Sequence, residues 1–220
     1  LSTLTALLIL APLRTLIATE APIGLPLDIG QVALLALVAF WLMHSILHRR
    51  ALPTLHRSIV FVPVLVFVAA TALTAFNAAS LGAWLNEWLK WVSVLLLVVI
   101  CLDLGAWQWL IFALVLAGVA NALVGIYEFF GGSGALHLLI NNRFFRAFGT
   151  FGQPNPFGGF MGLIAPIALL AALGYVQRLW AVWRSGGTIA VQNLAAALFY
   201  TFSAALLVAG VFVSWSRGAW

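Results

Sequence analysis

Polar chemistry in this chain is confined to a few short segments. The richest reads Asn141-Asn142-Arg143-Phe144-Phe145-Arg146-Ala147-Phe148-Gly149-Thr150-Phe151-Gly152-Gln153-Pro154-Asn155-Pro156-Phe157-Gly158-Gly159-Phe160. Two arginines precede a Gly-Thr-Phe-Gly turn, and Pro154 and Pro156 flank Asn155 where an apolar run begins. Proline is tolerated in a first helical turn and asparagine is a good cap, so Asn155 is placed to cap a helix starting here. A helix N-terminus adds free backbone N–H donors and a partial positive charge. With Arg143 and Arg146 beside it, the segment has the makings of a diphosphate cradle. The alternative is a capped turn whose arginines contact lipid head groups.

The second segment is Val213-Ser214-Trp215-Ser216-Arg217-Gly218-Ala219-Trp220, directly after a fully apolar run. A charge at membrane depth is costly to bury, which makes Arg217 a functional candidate; the other reading is an interfacial stop signal. The third is Glu87-Trp88-Leu89-Lys90, where Glu87 and Lys90 stand at i, i+3 and can pair on one helix face. Glu128, near the end of an apolar run, has Arg143 and Arg146 as alternative partners. His137 stands alone in a loop, and His44, His48 and His56 read as boundary residues. The single cysteine, Cys101, excludes an internal disulfide and a cysteine-based metal site.

These groups sit in an unusual background. The 220 residues are 65% hydrophobic and 7% charged, with mean hydropathy +1.14. A soluble domain carries about 25% charged residues and cannot hide this much apolar surface at this size. A bilayer removes the difficulty, because lipid-facing positions are apolar. The net charge of +5 comes from ten Lys and Arg scattered among the apolar runs. It fits lipid head groups or an anionic lipid-linked substrate and gives no nucleic-acid footprint.

Seven stretches of about the length of a span follow: Leu1–Ile17, Ile29–Leu47, Ile59–Phe76, Trp88–Leu102, Trp107–Phe130, Phe157–Tyr175 and Asn193–Val213. The expected fold is therefore an all-α, polytopic transmembrane bundle of about seven spans, with residues 1–220 forming a single membrane domain. The densest basic cluster, His48 to Arg57, is assigned to the cytoplasm. Alternation then puts Arg178 and Arg184 on the same side, and Glu20, Asp28, Lys90, Arg143, Arg146 and Arg217 outside. Tryptophans near span ends, Trp84, Trp88, Trp180 and Trp183 among them, read as an interfacial belt. Gly158 and Gly162 form a small-xxx-small pair, Gly118, Ala122 and Gly125 line one side of the fifth stretch, and Pro166 is expected to kink the sixth.

Arg146-Ala-Phe-Gly-Thr-Phe-Gly-Gln-Pro-Asn-Pro-Phe-Gly-Gly-Phe, followed by Ser214-Trp-Ser-Arg217-Gly-Ala, resembles the O-antigen ligase family, which also includes O-antigen polymerases and protein O-oligosaccharyltransferases. Pro12-Leu-Arg, Leu27-Asp28-Ile-Gly30-Gln and the Glu87-x-x-Lys90 pair agree with it. The resemblance runs along the whole chain, as the N-terminal part of a larger membrane domain. It implies a multi-pass glycosyltransferase of the inner membrane that takes a glycan from an undecaprenyl-diphosphate carrier at the periplasmic face. The glycan passes to an acceptor hydroxyl on lipid A-core, a polymer or a protein, without metal, cofactor or nucleic acid. By this resemblance Arg217 is catalytic, and Arg146, Arg143, Lys90 and Asn155 bind substrate. The family's proposed base, a histidine on a later outer loop, has no counterpart in these 220 residues.

The competing reading is a multi-spanning transporter, for bicarbonate or polysaccharide. That reading expects polar residues near mid-membrane on broken helices. The charges here gather at the ends of the apolar runs instead, which favours chemistry at a membrane surface.

Overall fold

The computed structural model describes residues 29–48, 55, 58–132, 138–140 and 142–219. They fall into two compact units, Leu25–Trp107 and Gln108–Trp220. The stretch Leu1–Ile17 and nearly all of the His48–Arg57 cluster lie outside the described residues.

In the first unit, α1 (Ile29–Leu47), α2 (Phe61–Ala72, continued by a 3-10 turn over Leu73–Asn77) and α3 (Leu81–Leu104) follow one another. Ser80 starts α3, its hydroxyl accepting from the Ala83 N–H. Gly105 stops it in the left-handed conformation that glycine enters without steric cost. Tryptophan N–H groups stitch these helices together. Trp88 donates to the Val68 carbonyl at 3.1 Å, Trp84 to the Thr74 hydroxyl at 2.9 Å, and Trp41 to the Asp103 carboxylate at 2.7 Å. Trp84 and Trp88 are thus helix-to-helix fasteners, beyond the anchoring expected of them. An N–H paired across helices avoids the cost of an unsatisfied donor in hydrocarbon.

The second unit holds α4 (Trp107–Tyr127, running on in a widened turn over Glu128–Gly132), a two-residue hairpin, and the long pair α5 (Pro154–Arg184) and α6 (Val191–Ser214). The hairpin pairs β1 (Leu139–Ile140) with β2 (Phe144–Phe145), antiparallel. A 3-10 turn over Gly149–Phe151 leads from it into α5. The helices meet over Val115, Ala122, Phe157, Met161, Ile164, Ala168 and Leu207, all essentially inaccessible.

Missing side chains let these helices approach. A Cβ on Gly118 would stand 2.7 Å from Leu207, one on Gly210 3.0 Å from Met161, and one on Gly125 inside the Phe157 ring. Close approach of small residues is what holds helices together in lipid, where no hydrophobic drive exists between them. The outward positions carry large apolar side chains, with Leu163, Leu170, Leu198 and Phe202 each more than 60% exposed.

Among the described residues four helices are long and apolar enough to cross a membrane: Leu81–Leu104, Trp107–Gly132, Pro154–Arg184 and Val191–Ser214. The segments Leu34–Leu47 and Phe61–Asn77 are apolar but shorter. Of the seven expected spans, Leu1–Ile17 lies outside the described residues, and four of the remaining six meet this measure; the 3-10 turn at Leu73 ends α2 early. Helical bundle and membrane character both hold. Pro166 does not break α5, which passes through it as one element.

Candidate functional site

The ends of α5 and α6 make the site. Pro154 occupies the first helical position of α5, where its missing N–H costs nothing. α6 ends at Ser214 because Trp215 turns left-handed, at φ 52°. That conformation is strained for a residue bearing a Cβ, and such residues gather at functional sites. The Ser214 hydroxyl donates to the Val211 carbonyl at 2.6 Å and accepts from the Ser216 N–H at 3.2 Å, which fixes the turn.

Asn155 does not cap α5. The capping position is Gln153, which gives no side-chain bond. The Asn155 carbonyl oxygen instead accepts from the Ser216 hydroxyl at 3.1 Å and from the Arg146 guanidinium at 3.4 Å. It therefore ties the start of α5 to the turn after α6. Arg146 reaches the same turn, its guanidinium donating to the carbonyls of Ser214 at 3.4 Å and Trp215 at 3.3 Å. Gly158 allows this closeness. A Cβ there would stand 2.6 Å from the Ser214 hydroxyl and 3.0 Å from Ser216 and Ala219, and one on Gly162 3.3 Å from the Ala219 carbonyl. The small-xxx-small pair thus packs against the turn after α6.

Between these pieces opens a cleft of about 630 Å³, lined by Arg146, Asn155, Gly159, Trp215, Ser216, Arg217 and Gly218. Two guanidiniums and no carboxylate line it. Arg217 is exposed and has no hydrogen-bond or ion-pair partner among the described residues, so its five donors remain for a ligand. Arg146 is half-buried and braced. Two arginines of this kind suit a phosphate or diphosphate, whose oxygens accept a guanidinium fork bidentately.

The expected backbone donors are mostly absent. Pro154 and Pro156 have no N–H, and the Phe157 N–H goes to the Gln153 carbonyl at 3.4 Å. Of the first four residues of α5 only Asn155 keeps a donor outside the helix ladder, so the cleft depends on side chains.

Two expected binding residues lie elsewhere. Arg143 stands exposed in the hairpin turn with its guanidinium 5.2 Å from the centre of the Phe144 ring, a cation–π contact. Lys90 belongs to the first unit, on α3, and donates to Glu87 at 2.6 Å, the pairing that the i, i+3 spacing allows. Neither lines the cleft. Glu128 pairs with neither arginine: its carboxylate accepts from the N–H groups of Phe148 at 2.9 Å and Gly149 at 2.7 Å. His137 lies outside the described residues. No group of three or more His, Cys, Asp or Glu that could hold a metal occurs among the described residues.

Asn121 has no part in the sequence reading, and Trp215 and Ser216 enter it only as members of the second segment. The signal for Asn121 was present: it is an amide in an otherwise apolar helix, seven residues before Glu128 and so on the same face. Ser216 stands in the second motif, but nothing in the sequence paired it with Asn155, 61 residues away.

Apolar spanning helices with an arginine-lined cleft at the end of two of them define a multi-spanning helical membrane protein with a cationic site. Comparisons of the chain with protein-family models, with curated proteins and with solved structures return no match.

Proposed function

We propose that the cleft binds the diphosphate of a polyprenyl-linked glycan and that the protein is a glycosyltransferase of O-antigen ligase type. The observation that carries this reading is that the two resembling motifs line one cleft: Arg146 and Asn155 from the first, Ser216 and Arg217 from the second. The two motifs together carry the resemblance, and nothing in their spacing requires them to meet in space.

The chemistry follows from charge. An acceptor hydroxyl oxygen forms a bond to the anomeric carbon of the glycan. The bond from that carbon to the diphosphate oxygen breaks, and its electron pair leaves with the diphosphate. Fixed guanidiniums stabilise the negative charge that develops there, and they do so best where water is partly excluded. The hydroxyl proton goes to a base, a role that the resemblance gives to a histidine on an outer loop. The active site in this reading faces the periplasm, and the acceptor is lipid A-core, a polymer or a protein.

The test is transfer itself. Full-length protein in lipid vesicles, given undecaprenyl-diphosphate-linked glycan and an acceptor, should release undecaprenyl diphosphate and glycosylate the acceptor without added metal. Undecaprenyl diphosphate without glycan should compete. Absence of transfer to every acceptor class, with no binding of the carrier, would remove the reading.

A further inference from the structure

Arg146 is useful only if its guanidinium is held at the cleft, and the backbone that carries it is held along its whole length. Five consecutive N–H groups are committed. That of Arg146 goes to the Leu138 carbonyl at 2.8 Å and that of Ala147 to the Val213 carbonyl at 2.9 Å. Those of Phe148 and Gly149 go to one oxygen of Glu128, and that of Thr150 to the Asn121 side-chain oxygen at 3.3 Å. The Thr150 hydroxyl also donates to Asn121, at 2.8 Å, and the Asn121 amide donates back to Ala117 on its own helix.

Glu128 is 6% exposed and Asn121 fully buried. Glu128 forms no ion pair among the described residues, which is costly for a carboxylate unless hydrogen bonds to it compensate. An apolar residue at that position would avoid the cost but leave two buried amides unpaired. Phe157 closes the other side of the turn, since a Cβ on Gly149 would stand 2.6 Å from its ring. Gly149 sits at φ 53°, so a side chain there would be strained as well as crowded.

We propose that Glu128, assisted by Asn121, is a positioning residue for the cleft: it clamps the Phe148–Thr150 turn from α4 and thereby sets where Arg146 presents its guanidinium. The function of the clamp rests on the anion-binding reading above; its existence as a rigid element does not. A carboxylate serves here because a single oxygen accepts two consecutive N–H groups, and bonds to an ionised acceptor are stronger than neutral ones. Glutamine keeps an acceptor oxygen at the same reach, whereas alanine removes it. A small displacement of a group that must meet developing charge lowers the rate by about ten- to a hundredfold.

The test has a structural and a functional arm, both on the full-length protein in nanodiscs. Hydrogen exchange should show the Phe148 and Gly149 amides protected in the wild type, largely protected in Glu128→Gln and freely exchanging in Glu128→Ala. Unchanged protection in Glu128→Ala overturns the clamp, whatever the protein's activity. For function, the affinity for inorganic pyrophosphate is measured alongside glycan transfer. Glu128→Ala should weaken both about tenfold or more in the Arg146 protein, and Glu128→Gln should retain most of each. In an Arg146→Lys background Glu128→Ala should cost little further, because the group it positions is already gone. Equal losses in both backgrounds would mean a general folding role and overturn positioning. So would full activity in Glu128→Ala with its amides exchanging. A wild type that binds pyrophosphate through Arg146 but transfers no glycan would end the transferase reading and leave the clamp to be decided by the binding cycle.

Discussion

Asn155 joins the two arginine-bearing segments through one side-chain oxygen, bonded to Ser216 and Arg146. Asn155→Ala removes that acceptor while leaving both arginines in the chain. Asn155→Asp keeps an acceptor and adds a negative charge to a cleft that holds none. If the cleft binds an anion, aspartate should be the worse change, lowering pyrophosphate affinity below the alanine variant although it preserves both hydrogen bonds. Equal or better binding by Asn155→Asp would mean that the two guanidiniums do not serve an anion together. At Arg146 the structure alters what the sequence alone suggests. A loop arginine can adjust to a shorter reach, but this loop has every N–H from Arg146 to Thr150 committed. Arg146→Lys is therefore expected to reduce anion affinity about ten- to a hundredfold, since a point charge cannot replace a fork that binds two carbonyls, Asn155 and a ligand together.

Helix packing makes its own prediction. Gly158 on α5 has Ser214, Ser216 and Ala219 within 3.0 Å of where a Cβ would stand, whereas Leu163 on the same helix is 75% exposed. Gly158→Leu should lower stability by about 1–3 kcal/mol, the usual cost of overpacking, and Leu163→Ala by under about 0.5 kcal/mol. Thermal unfolding in detergent separates them, and similar small shifts for both would show that this face of α5 is not packed. The helices were legible in the sequence because long apolar runs have few other solutions in a bilayer. Their ends were less so. α3 starts at Leu81, well before the expected Trp88, because Ser80 caps it and the helix runs through the polar Asn86 and Glu87 ahead of the apolar run. α5 continues past Tyr175 to Arg184, its last turns amphipathic, with Arg178 over Tyr175 and Arg184 over Trp180. Of the site, Arg146, Asn155 and Arg217 were legible by residue type, while their meeting was not. That meeting depends on a helix reversal, on the left-handed turn at Trp215, and on contacts 61 to 69 residues apart.

Across the second unit, α5 and α6 run to a common end. The cleft lies where α5 begins and α6 finishes, and Ser185 lies at the far end of α5. At roughly 1.5 Å per residue α5 is about 46 Å long, more than the roughly 30 Å hydrocarbon core. With α5 crossing the bilayer, Arg178 and Arg184 are expected on the side opposite Arg146 and Arg217. In a Cys101→Ala background, a cysteine at Asn142 should react with a membrane-impermeant reagent added from outside, and one at Ser185 only after permeabilisation. The reverse pattern would place the cleft in the cytoplasm and exclude transfer at the outer face.

The central claim is that a diphosphate leaving group is held by Arg217, and the transfer rate of Arg217→Lys measures it most directly. Arg217 is exposed at the cleft with no internal partner among the described residues, so the change leaves packing and insertion alone. Lysine keeps the charge and loses the planar fork. A charge-assisted contact is worth roughly 1.5–3 kcal/mol, or about ten- to a hundredfold in rate when it acts in the transition state. An arginine that merely anchors the chain at a lipid surface tolerates lysine, because snorkelling needs only a long stem and a charge. The account predicts that full-length Arg217→Lys accumulates in membranes at the wild-type level while glycan transfer from undecaprenyl diphosphate falls by about tenfold or more. Transfer at the wild-type rate would contradict it and leave Arg217 an interfacial anchor.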